Sequence, residues 1–237
     1  METRIKWLHS SGLSRRNLGL IIAGIESAPF TQESARGFIP TEIRGKSISG
    51  RYIERITGKK VFFDPFGEEI EVPFTTFETT SFRIGLDAPE IEITNPARSL
   101  RRFFNAISAL SDATLTSSPI SVNVTDWITA LSQRLGESTV SKIKCDDLTL
   151  SASLVADMTF SGGKDVLQST RQFLKSNFRN VSYALVNFDL GNQSLEVALY
   201  STGVAKFFTE FDSRTINVFR ESINVSVSIE KDSQPEK

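Results

Sequence analysis

Apolar residues recur along this chain at two spacings, and changes between them mark where helices give way to strands. Leu18, Ile21, Ile22 and Ile25 fall at i, i+3, i+4 and i+7 behind Ser14. That is the core-facing stripe of a helix with a serine cap. Short strands are expected next. Residues 61–63 and 69–72 flank Asp64-Pro65-Phe66-Gly67, and residues 79–86 and 90–94 flank Asp87-Ala88-Pro89. Proline supplies the fixed φ in both turns, and glycine the permissive one in the first. Asn95-Pro96 then opens a helix with Leu100, Phe103, Phe104, Ile107 and Leu110 on one face and Arg98, Arg101 and Arg102 on the other.

A small, polar stretch over 111–121, closed by Pro119, separates the two halves. Residues 125–135 predict a helix stopped by Gly136. Leu148, Leu150, Ala152, Leu154, Ala156, Met158 and Phe160 alternate with polar positions, the pattern of one long half-buried strand. A helix follows Gly162-Gly163 with Val166, Leu167, Thr170, Phe173 and Leu174 inward. Strands over 181–188 and 194–201 are joined at Gly191-Asn192. Residues 212–221 suit a helix, and alternation over 223–229 predicts a last strand. The order from residue 148 is that of a ferredoxin-like, split βαβ unit. The expected fold class is therefore α+β, with mostly antiparallel sheets and packed helices. The expected domains are 1–115, 120–230 and a disordered tail over 231–237.

Composition narrows the chemistry. The chain has 237 residues, a net charge of −1, one His and one Cys. Cys145 alone builds no disulfide or cysteine zinc knuckle, and His9 alone builds no multi-histidine metal site. His9 also falls in a short N-terminal segment expected to fray, and no Gly-x-Ser-x-Gly elbow is present, so nucleophilic catalysis lacks its parts. The acids after Cys145 oppose a thiolate. Glu90, Glu92, Asp146 and Asp147 could serve a carboxylate-metal hydrolase, but they read first as solvated strand edges. Ser161-Gly162-Gly163-Lys164 ahead of a helix is a weak phosphate cradle and reads first as a turn. No cofactor, metal or catalytic residue is expected.

Location follows from similar weighing. Ser14-Arg15-Arg16 before Leu18 to Ile25 resembles a twin-arginine export signal, but the helical stripe explains the segment better. The Asn-x-Ser/Thr triplets at Asn123, Asn180, Asn192 and Asn224 matter only in a secreted chain. No apolar run approaches a membrane span, and a cytoplasmic location is expected.

Charge and aromatic content then carry the functional expectation. Residues 1–60 hold a net +6 and residues 61–100 a net −6. Arg44, Lys46, Arg51, Arg55, Lys59 and Lys60 crowd around Tyr52, a pattern suited to nucleic-acid phosphates with a stacking ring. Arg98, Arg101 and Arg102 add to it. Eighteen of the aromatics are Phe, and Phe62, Phe63, Phe66, Phe74, Phe77 and Phe82 gather in the acidic segment. Such residues pack a core or stay exposed until a partner covers them. The function expected is a non-enzymatic binding or accessory subunit of a larger cytoplasmic assembly, with Phe62, Phe63, Phe66, Phe74 and Phe77 at the partner interface. Its partner is another protein or a second copy. A nucleic-acid-binding protein is the alternative, and a carboxylate-metal hydrolase comes third.

Overall fold

A computed structural model describes residues 2–110, 116–151, 153–191 and 193–226, with side chains up to Ile223. In chain order the elements are β1 (Thr3–His9), α1 (Arg15–Ser27), β2 (Arg36–Arg44), β3 (Ser47–Phe63), β4 (Glu69–Gly85), β5 (Ile91–Thr94), α2 (Arg101–Leu110), β6 (Ser118–Pro119), α3 (Val124–Leu135), β7 (Ser138–Ser151), β8 (Leu154–Ser161), α4 (Val166–Leu174), β9 (Val181–Asp189), β10 (Ser194–Tyr200), β11 (Val204–Phe207) and α5 (Ser213–Ser226). Strand outweighs helix, 47% to 27%, so antiparallel sheet carries this α+β fold. The chain divides into two compact units. One spans residues 10–116, and the other joins the stretch up to His9 to the stretch from Ser117.

In the unit of residues 10–116 the strand order is β2-β3-β4-β5. Ser14 caps α1, its side chain accepting from the Asn17 amide, and Leu18, Ile21 and Ile25 are buried as the spacing predicts. The short strands expected over 61–72 are the ends of a much longer hairpin, in which β3 and β4 stay in register from Ser47↔Gly85 to Phe63↔Glu69. The helix expected from Asn95-Pro96 begins later, at Arg101. Asn95 adopts a left-handed backbone (φ 49°) that cannot start a helix, so Arg98 lies in the preceding loop rather than on α2.

The other unit runs β1-β11-β10-β9-β7-β8, with β6 paired to β1. The segment expected to fray around His9 is β1, whose Ile5 and Trp7 are fully buried. The long alternation over 148–160 is a hairpin, not one strand: Leu148 pairs with Ala156 and Ser151 with Leu154. Period two survives a tight reversal, so the pattern hides the turn. The ferredoxin-like order is not found. From residue 138 the elements read β7-β8-α4-β9-β10-β11-α5, because β11 is an additional strand and residues 223–226 extend α5 instead of forming a strand. Residues 227–229 and the expected tail over 231–237 lie outside the described residues. Phe173, expected inward, is 70% exposed, while Thr170 and Leu174 face the core. Trp7 meets Trp127 edge-to-face at 5.8 Å, and Trp127 meets Phe219 at 6.2 Å. Asn123 caps α3, and Asp212 accepts from the Thr215 amide at 2.8 Å at the start of α5.

Candidate functional site

The hairpin outruns its neighbours. β2 pairs with β3 only as far as Arg36↔Glu54, and β5 pairs with β4 only over Ser81–Ile84. Beyond those rungs, residues 55–63 and 69–80 form a two-stranded ribbon. Residues directly opposite one another share a face. Ile56, Gly58, Lys60 and Phe62 therefore share one face with Thr76, Phe74, Val72 and Ile70. A Cβ on Gly58 would lie 2.9 Å from the Phe74 ring, so the glycine lets that ring lie across the strand. Arg55, Lys59, Val61 and Phe63 occupy the other face.

Both faces are exposed, and both carry large apolar side chains among their charges. Val61, Phe62, Phe63, Ile70, Val72, Phe74 and Phe77 are all large hydrophobics open to solvent, and Phe66 at the tip is 91% exposed. Of the six Phe residues clustered in the sequence, Phe82 alone is core, 4% exposed at the root. Monomeric proteins rarely leave a contiguous patch of this kind uncovered.

The tip is built, not slack. Asp64 Oδ1 accepts from the amides of Phe66 and Glu68, both at 2.8 Å, and the Asp64 amide donates to the Glu68 carbonyl at 2.9 Å. Gly67 takes φ +88°, which a side chain would oppose. Four local constraints thus hold Phe66 outward. Asp64→Ala removes two charge-assisted hydrogen bonds to one carboxylate oxygen, each worth about 1.5–3 kcal/mol at most. It is expected to increase amide exchange at Phe66 and Glu68 while leaving exchange in β7–β9 unchanged.

Below the ribbon sits a polar cluster. Tyr52 Oη donates to Glu54 Oε1 at 2.8 Å, and Arg102 Nη1 donates to Glu54 Oε2 at 3.0 Å. Burial and then the Glu54 carboxylate push the Tyr52 phenol up to about 12. Folded chain thus keeps a proton that unfolded chain loses near 10, so this group's contribution is complete below pH 10 and falls away between about 10 and 12. Burial also pushes the Tyr183 phenol up, so phenolate absorbance is expected to show two tyrosines titrating late, and Glu54→Gln to bring only the Tyr52 component back toward the ordinary range. Glu54 is the one member of this cluster absent from the residues expected from the sequence. The signal was the i, i+2 spacing of Tyr52 and Glu54, which puts both on one face of a strand.

The ten expected nucleic-acid contacts do not form one free patch. Arg44 pairs with Glu42 at 2.6 Å, Lys59 with Glu71, and Arg102 with Glu54. Arg55 is a structural clamp, its guanidinium 5.9 Å from the Phe30 ring and 5.8 Å from that of Phe77, with Nη2 donating to the Thr31 and Gln32 carbonyls. Tyr52 is buried and presents no stacking face. Lys46, Arg51, Lys60, Arg98 and Arg101 are exposed. Part of the +6 segment is thus spent on the −6 segment within one unit, since the hairpin register brings Lys59 beside Glu71.

The carboxylates fall in different units. Glu92 is buried, and Glu90 accepts from the Ser10 amide at 3.0 Å. Asp146 pairs with Lys144 at 2.6 Å and is held below the usual carboxylate range, first by that contact. Asp146 and Asp147 line a cleft of about 550 Å³ with Arg171, Arg179 and Asn123. Burial, and then Asp146, push the Cys145 thiol up. Among the described residues, no group of three or more His, Cys, Asp or Glu side chains is placed to hold a metal ion. At the glycine turn after β8, Asp165 caps α4 and accepts from the Leu167 amide at 3.2 Å, so a carboxylate already occupies the position a phosphate would need. Among the described residues, no helix is long and apolar enough to cross a membrane. No known protein family matches the sequence, and no characterised protein matches it closely enough to count as a relative.

Proposed function

We propose that the chain is a non-enzymatic binding subunit of a larger cytoplasmic assembly and that the β3–β4 ribbon is its docking arm for protein. The observation that carries this reading is the placement of Phe62, Phe63, Phe66, Phe74 and Phe77 in solvent on a hairpin whose tip is locally braced. Aromatic anchors presented on a pre-ordered backbone lose little entropy on binding. Protein is favoured over nucleic acid because Arg44, Arg55, Lys59 and Arg102 already have partners in the fold.

A photoreactive phenylalanine analogue at position 66, expressed in the native host, tests the reading. It is expected to cross-link to protein, while the same group at the exposed Glu33 does not. Equal, weak labelling at both positions removes the ribbon from the account.

A further inference from the structure

The ribbon has a second asymmetry. Along its free part β3 carries Arg55, Lys59 and Lys60 and no acid, whereas β4 carries Glu69, Glu71 and Glu78 and no base. Arg55 is clamped at the root, and Lys59 and Glu71 pair with each other, but that pair is solvent-exposed and therefore weak enough to be shared with a neighbouring ribbon. Each strand also has one outer edge that no strand of its unit pairs with, from Ile56 on β3 and up to Thr80 on β4. A long, apolar, unpaired edge is a template for another strand. Pro73 limits it at one rung. Opposite Lys59 in an intact register, its nitrogen must face away from β3, so the outer edge of β4 lacks one donor there.

We infer that the occupant of this arm is a second copy of the chain, docked head-to-tail with the basic β3 edge of one copy along the acidic β4 edge of the next. The inference rests on the reading of the ribbon as a docking arm and commits it to one partner. Laid side by side in the same sense, two ribbons bring β3 beside β4 in antiparallel order, the arrangement already present inside each hairpin. The contact is heterologous, because different surfaces meet. A two-fold contact between edges would set β3 against β3 or β4 against β4, gathering the cations or the acids at one seam. Like charges in a docked interface are strongly unfavourable. The charge pattern therefore selects the head-to-tail contact, which continues into rings or short chains of subunits.

Complementation tests this directly. Sedimentation velocity of the full chain over a rising concentration series is expected to show self-association. Lys59→Glu/Lys60→Glu spoils the β3 edge and Glu69→Lys/Glu71→Lys spoils the β4 edge, each weakening association at least about tenfold. In the mixture the β4 edge of the first variant meets the β3 edge of the second with native charges, and the two reversed edges, now acidic on β3 and basic on β4, are again opposite in sign. The mixture is therefore expected to regain association, alternating between the two variants, while each variant alone stays dissociated. Both variants lose the internal Lys59–Glu71 pair, so that loss cannot produce complementation. Should either reversal disturb folding, the neutral Lys59→Gln and Glu69→Gln, which lie on one face, carry the comparison, and their mixture leaves a single intact contact and is expected to stop at a 1:1 dimer. Association that persists in both variants, or variants that fail to complement, overturns the head-to-tail contact. A wild-type chain that stays monomeric also overturns it. The cross-link at position 66 then separates the two ideas: labelling of a different protein leaves the docking arm standing, and no labelling removes both.

Discussion

Changing Phe62 and Phe66 together to aspartate is expected to abolish association through the hairpin while the fold stays intact. The two rings are 50% and 91% exposed, so neither contributes appreciably to the core. Substitutions at such surface sites usually move folding stability by no more than about 0.5 kcal/mol. At an interface the same rings are anchors of the type that costs about 2 kcal/mol or more each when lost, and a charge in their place adds desolvation. Two such losses correspond to roughly a thousandfold weaker binding. Thermal unfolding and affinity, measured on the same preparation, are therefore expected to separate completely. Joint loss of both would make Phe62 and Phe66 structural residues.

Trp7→Ala is expected to do the opposite. Trp7 is fully buried on β1 and stacks edge-to-face on Trp127, which in turn meets Phe219 of α5. Truncating a ring at such a position removes its contacts and leaves a cavity, at a cost of about 3–5 kcal/mol. Domains of this kind have only about 5–15 kcal/mol in total. Denaturant titration is expected to show a large fall in the midpoint for Trp7→Ala and almost none for Phe66→Ala. Equal small shifts would show that the first strand is not integral to its unit.

Local signals in the sequence predicted local structure well. The stripe of Leu18, Ile21 and Ile25 and the stop at Gly136 correspond to α1 and the end of α3. What the sequence concealed was extent and partnership. Residues 47–60 are rich in charged and small residues and carry no clean alternation, so β3 was visible only at its apolar end. Its length is set by pairing with β4, a long-range contact that no window of residues contains. β1 was hidden for the same reason: Thr3–His9 is a strand because β11 receives it, from 200 residues along the chain. The Phe cluster was legible as either core or interface, and only the point at which β2 and β5 stop pairing decides which rings are covered. The basic cluster misled because composition counts charges without their partners. Glu42, Glu54 and Glu71 neutralise three of those cations.

The most direct measurement of the central idea uses the chain's single cysteine as background. Cys145 is fully buried and its thiol is pushed up, so it reacts poorly with thiol reagents. Thr75→Cys adds one reporter in the exposed middle of the ribbon, opposite Thr57 and between the anchors Phe74 and Phe77 without replacing either. Its reaction rate with a membrane-permeant maleimide is compared between dilute purified chain and intact host cells, with Glu33→Cys as the exposed reference. A covered docking arm predicts rapid labelling in dilute solution and strong protection at position 75 in cells, with position 33 unchanged. Equal labelling of both positions in cells contradicts the account, because it leaves the apolar ribbon bare where a partner is required.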